Sequence, residues 1–196
     1  MLFDAGPRVR RLSADKTSAA FHTLLRQFAS VVLATEEEAK VLLNESTDAP
    51  MSSGNDTSTS DAIEDAKYAS MRLLDVCENA SYAVVKIGRK GIVIACREGQ
   101  VEPLHVDGFD VEVGDTVGCG DSLAAAFAMG IVQGASISTV GALSNATGAA
   151  TASRHGAGRN VAAAPTVRSI LLSAAHGRPG CPEALTLLDS LRRDPQ

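Results

Sequence analysis

Asp115-Thr116-Val117-Gly118-Cys119-Gly120-Asp121 runs without a break into an apolar segment, Ser122 to Val132. The apolar segment has the composition of a helix, and two glycines leave the backbone bare where that helix begins. The first N–H groups of a helix lack internal partners and carry the positive end of its dipole. Such a place attracts anions, phosphate above all. Asp121 falls among those N–H groups. Its carboxylate can cap the helix, or it can take a proton from a hydroxyl as a phosphate arrives.

Composition narrows the class. The chain has 196 residues, a length that suits one domain. It has no Trp, and only 4% of its residues are aromatic, so its core must be built from Ala, Val, Leu and Ile. That filling suits a parallel sheet flanked by helices. The net charge of −5 and the absence of a basic patch argue against nucleic-acid binding. The longest apolar runs are too short to span a bilayer, and the N-terminus shows no signal-peptide pattern. Cys77, Cys96, Cys119 and Cys181 form no Cys-x-x-Cys pair, which argues against zinc and against a disulfide framework. They read as thiols of a reducing compartment. Cys119 lies in the glycine loop, where a helix start lowers a thiol pKa, but the simpler reading is that the loop needs a small residue there.

Outward from the loop, strands alternate with helices. Met1–Ala5 reads as the end of a strand and Gly6-Pro7 as a turn. Ser13 to Ala29 reads as a helix, with Phe21, Leu24, Leu25 and Phe28 on one face. Ser30–Ala34 is a short strand. Thr35 and Glu38 then make a capping box for a helix to about Leu43. Glu45–Ser60 is polar and reads as a flexible surface insertion. Asp61 opens a helix to about Glu78. Tyr82–Ile87 and Gly91–Cys96 form a hairpin about Gly88-Arg-Lys-Gly91, with Val101–Val106 as a neighbouring strand. Helices follow over Asp121–Val132 and Ser136–Arg154, the second rich in small residues that favour close packing. Pro165 starts the next helix. The tail beyond Gly177 ends in a short helical piece. This order predicts an α/β sheet with helices on its faces and ligands beyond the carboxyl ends of the strands.

The stretch Asp115–Asp121 resembles the C-terminal signature of the ribokinase-like, or PfkB, carbohydrate kinases. The resemblance covers roughly Met1 to Ala164 and corresponds to that family's C-terminal half. It implies a three-layer α/β/α, Rossmann-like sheet with flanking helices, in which the N-terminal part and the lid are missing. It also implies a partial kinase domain over 1–176, interrupted by the insertion at 45–60 and followed by a tail over 177–196. Members phosphorylate a hydroxyl of a sugar, nucleoside or related small molecule with ATP and Mg²⁺.

Carried onto this sequence, the resemblance makes Gly118, Cys119 and Gly120 an anion hole and Asp121 the catalytic base. Lys86, Gly88 and Gly91 match the family's nucleotide-binding strand and turn. Read alone, that segment is equally a hairpin turn with solvated basic residues. Glu38 matches the Glu of an Asn-x-x-Glu motif that acts on Mg²⁺ through water, although Thr35 stands where the family has Asn. Asp115 and Thr116 open the loop, and at Asp115 the family also suggests a site for K⁺. Asn145 corresponds to a residue beside the adenine, or it packs as a helix-face Asn. Gly156 belongs to a loop that closes the adenine pocket, where His155 reads as a surface residue.

The implied protein is an ATP-dependent phosphotransferase acting in the cytoplasm, or in a plastid where an upstream transit peptide exists. Its partners are a small sugar or nucleoside, with neither nucleic acid nor membrane. A homodimer is implied only for a full-length form with a lid. The alternative is a truncated, non-catalytic nucleotide-binding or scaffolding relative.

Overall fold

The computed structural model describes residues 1–6, 9, 18–43, 58–99, 102–155 and 161–191. The chain divides into two compact units, Met1–His105 and Val106–Gln196. The sequence suggests a single domain, but two separate apolar clusters form.

The first unit is built on a sheet. Its strands are β1 (Leu2–Asp4), β2 (Val31–Thr35), β3 (Tyr82–Lys86), β4 (Ile92–Cys96) and β5 (Leu104–Val106), side by side in that order. β1, β2 and β3 are parallel, while β3 and β4 are antiparallel. Parallel neighbours need a crossover, and helices supply both. α1 (Ser18–Phe28) joins β1 to β2, while α2 (Glu36–Leu42) and α3 (Thr59–Val76) lie between β2 and β3. Alternate strand residues point to one face, so Val32, Ala34, Ala83, Val85, Val93 and Ala95 share a cluster with Leu25, Leu42, Ala66 and Leu73 of the helices. The hairpin closes through a 3₁₀ turn at Gly88–Lys90.

Several boundaries move for identifiable reasons. The helix expected over 13–29 is described as Ser18–Phe28, and residues 13–17 lie outside the described residues. Most of the insertion expected at 45–60 also lies outside them. Its last residues belong to α3, because Ser58 is the N-cap and accepts from the Asp61 N–H. α3 ends at Val76 rather than Glu78. There Arg97 donates to the carbonyls of Leu74 (2.6 Å) and Cys77 (2.9 Å) at the helix end, and to that of Ala80 (2.7 Å) in the loop beyond it. β5 begins only after Pro103, which has no N–H to give a ladder.

The second unit is helical: α4 (Cys119–Val132), α5 (Ile137–Ala152), α6 (Ala164–Ala174) and α7 (Cys181–Leu191). α4 packs on α5, and α5, α6 and α7 pack on one another. The small residues do allow a close approach, since a Cβ on Gly130 of α4 would stand 2.9 Å from Val140 Cγ2 of α5. The segment expected to be a tail holds α7, whose Cys181, Ala184 and Leu188 are buried in this unit's core. Among the described residues no helix is long and apolar enough to cross a membrane.

Candidate functional site

α4 starts at Cys119, two residues before the expected position. Gly118 is its N-cap, with φ 83° and ψ −2°. This left-handed conformation costs a residue with a Cβ about 1–2 kcal/mol, and glycine avoids the cost. The chain can therefore turn sharply out of Asp115–Val117 and enter the helix at once. Asp115 Oδ1 braces the turn by accepting the Val117 N–H at 3.0 Å. The Cys119 N–H bonds Thr116 O at 3.2 Å. The N–H groups of Gly118, Gly120 and Asp121 have no acceptor among the described residues. A helix start with three open donors is the geometry expected of an anion site.

Asp121 is the third helical residue. No side chain caps this helix, and the Asp121 carboxylate is exposed with no hydrogen bond among the described residues. The capping role that the sequence allowed is therefore not used. Burial pushes the Cys119 thiol up from its ordinary pKa, and the Asp115 carboxylate adds to the rise. A raised pKa does not favour a reactive thiolate at Cys119.

Asn145 is buried on α5. Its Nδ2 donates to Val106 O at 2.8 Å and to Asp107 O at 3.0 Å, so it anchors the first residues of the second unit. Thr116 is exposed beside the glycine turn. Gly156 lies outside the described residues.

The other expected residues lie on the first unit. Thr35 and Glu38 form the predicted capping box: the Thr35 N–H donates to Glu38 Oε2 at 2.8 Å, and the Glu38 N–H donates to Thr35 Oγ1 at 3.3 Å. Gly88 opens the 3₁₀ turn and Gly91 follows it, both with positive φ. Lys86 is held by Asp4, with Nζ 2.6 Å from Oδ1. The residue patterns gave no sign of that partner, nor of Arg97's grip on the end of α3. Each depends on strand pairing across long sequence separations.

Residues 5–164 match the model of the pfkB family of carbohydrate kinases. The chain belongs to that family. It is 28% identical over 159 residues to 5-dehydro-2-deoxygluconokinase of Bacillus velezensis, a match that covers 81% of this chain and 42% of that protein. The fold resembles ribokinase of Thermotoga maritima, with TM-score 0.61, 20% identity, and coverage of 87% of this chain and 48% of that one. It also resembles an Escherichia coli chain described as ribokinase II, in complex with ATP and Mg²⁺, with TM-score 0.64, 20% identity, and coverage of 88% and 48%. Escherichia coli phosphofructokinase-2 with substrates and products gives TM-score 0.61 at 18% identity, covering 81% and 45%. This pfkB-family chain thus spans less than half the length of these relatives. The α/β class expected from the alternating elements agrees with the observed sheet and with these shared folds.

Proposed function

We propose that this chain carries the phosphate-holding and proton-accepting side of an ATP-dependent phosphotransferase, one that acts on a hydroxyl of a sugar or related small molecule. The observation that supports this most is the state of Asp121. Its carboxylate is exposed and unbonded among the described residues, within one turn of three open backbone donors. An Asp that served as a side-chain cap would spend its oxygens on those donors.

Phosphoryl transfer needs positioning and charge stabilisation more than covalent chemistry. The N–H groups of Gly118, Gly120 and Asp121 would donate to phosphate oxygens, and the α4 dipole would favour charge there. Asp121 would accept the proton of the attacking hydroxyl. Asp115 and Thr116 would hold the loop in shape, Asp115 through its bond to Val117 and Thr116 through its carbonyl's bond to Cys119, and Asp115 would be a candidate ligand for K⁺. Asn145 would act indirectly, since its Nδ2 is engaged with backbone.

In the first unit, the same reading assigns nucleotide contact to the Gly88–Gly91 turn and a supporting role to Lys86. Among the described residues, no group of three or more His, Cys, Asp or Glu could hold a metal. The residues fit Mg²⁺ held through phosphates and water, with the remaining oxygen of Glu38 available to a water. When bound, Mg²⁺ would neutralise phosphate charge. The relative described as ribokinase II is in complex with ATP and Mg²⁺, which supports this choice. Four free thiols support a cytoplasmic setting.

Asp121→Asn tests the proposal. The variant should bind ATP as the unaltered chain does and lose phosphotransfer. Turnover retained by the variant overturns the base assignment. A second reading, a non-catalytic nucleotide-binding or scaffolding relative, draws support from Lys86 and Asn145, whose side chains are engaged by Asp4 and by the Val106 and Asp107 carbonyls. It is favoured if the unaltered chain binds ATP but transfers no phosphate across a panel of sugars and nucleosides.

A further inference from the structure

The last turn of α5 forms the bed on which the glycine turn rests. Gly148, Thr151 and Ala152 share one face of α5, three and four residues apart. Ala152 O accepts the N–H of Gly114 at 2.8 Å and of Asp115 at 3.2 Å. A Cβ on Gly148 would stand 3.5 Å from Cys119 O. Thr151 Cγ2 lies 3.9 Å from where a Cβ on Gly118 would stand, so the methyl faces the bare side of that glycine.

Thr151 is 2% exposed. Its Oγ1 donates to Thr147 O at 3.0 Å and accepts the Ala162 N–H at 3.2 Å. The hydroxyl and the methyl share one Cβ, so fixing one fixes the other. A β-branched side chain in a helix has few χ1 choices, and two hydrogen bonds at Oγ1 select one of them. The methyl is thereby aimed at Gly118, while the hydroxyl ties the segment entering α6 to the same helix face.

We propose that Thr151 is a positioning residue for the Gly118–Asp121 phosphate cradle. Its methyl bounds the space beside Gly118, and its hydroxyl couples that boundary to the chain at Ala162. This rests on the reading of residues 118–121 as a phosphate site. The role differs from general core packing because the two halves of the side chain serve two different segments.

Two variants separate those halves. Thr151→Ser keeps the hydroxyl and loses the methyl. Thr151→Val keeps the shape and loses the hydrogen bonds. In the ligand-free protein, Thr151→Ser should move the Gly118 and Gly120 amide resonances most, while Thr151→Val should move Ala162 most and shift Gly118 less. Thr151→Ser should also weaken Mg·ATP binding and, at saturating ATP, lower kcat by about tenfold, since small misplacements at a reacting centre are costly. The acceptor KM and the melting temperature should stay near those of the unaltered chain.

The proposal is overturned if Thr151→Ser leaves the Gly118 and Gly120 resonances and Mg·ATP affinity unchanged. It is also overturned if both variants move Gly118 alike. An unaltered chain that binds Mg·ATP without transferring phosphate overturns the catalytic reading alone, and the resonances and affinities still decide the role of Thr151. An unaltered chain that does not bind Mg·ATP overturns both.

Discussion

Lys86 Nζ stands 2.6 Å from Asp4 Oδ1, in an ion pair that bridges the carboxyl ends of β1 and β3 across β2. The register explains it. Asp4 sits opposite Leu33, and Lys86 opposite Thr35. Leu33 and Thr35 are two apart on β2, so all four side chains share a face. The two charged side chains are only 12% and 22% exposed. Removing one partner therefore leaves a largely desolvated charge, unlike a surface pair. Asp4→Ala should lower stability by about 1–3 kcal/mol, more than Lys86→Met does, because the methionine keeps the apolar stem in place. Urea unfolding of the two variants and of the double variant checks this. A loss near zero for Asp4→Ala would place the pair among weak surface bridges.

Arg97 ties the carboxyl end of α3 to the loop after it, with hydrogen bonds to the Leu74, Cys77 and Ala80 carbonyls. Its charge also faces the negative end of the helix dipole. Arg97→Ala should destabilise by about 2–3 kcal/mol, and Arg97→Lys should recover only part, because an ammonium lacks the planar fork. Amide exchange over residues 73–77 should rise in the Ala variant before global unfolding does.

Gly118 and Gly120 should not respond alike to alanine. Gly118 has positive φ, whereas Gly120 does not. A Cβ on Gly118 meets nothing closer than 3.9 Å, so the cost of Gly118→Ala is backbone strain, about 1–2 kcal/mol, rather than a clash. Gly120→Ala lies in the first turn of α4 and should be close to neutral in stability. Thermal melts of the two variants give the comparison. The expectation fails if Gly120→Ala is the more damaging.

Burial pushes the Cys77 thiol up to about 11 from 9.0, with Arg26 and Arg97 opposing the rise. The folded pKa is raised, so between these values the native state holds more protons than the unfolded one. Stability from this group is fully present below pH 9 and is lost as pH climbs towards 11. Cys77→Ala should flatten the fall in stability over that window. Unfolding free energies at pH 8, 9 and 10 test the slope, and parallel curves for the two proteins would remove Cys77 as its cause.

Local chemistry was legible in the sequence wherever neighbours along the chain decide the structure. The capping box of Thr35 and Glu38 formed as read, because its donors and acceptors lie within one turn. The hairpin about Gly88-Arg-Lys-Gly91 and the helix after the glycine turn did so for the same reason. Alternation of strands and helices gave the α/β class. Asp115–Asp121 contained the main elements of the candidate phosphate site, since a glycine turn entering a helix needs no distant partner to expose its N–H groups.

Only the tertiary structure decided how those groups are used. Asp121 could have capped α4, yet the left-handed Gly118 starts the helix at Cys119 and leaves that carboxylate unbonded among the described residues. Lys86 could have been open to solvent, yet parallel pairing of β1, β2 and β3 brings Asp4 to it from 82 residues away. Asn145 could have kept its amide free, yet Val106 and Asp107 take Nδ2. Thr151 looked like one small residue among many until the packing of α5 set its methyl towards Gly118 and its hydroxyl against Ala162. The sequence set which groups were available along each short segment. Long-range packing set which of them found partners, because a side chain's alternatives differ by only about 1 kcal/mol per hydrogen bond until a distant segment supplies the partner.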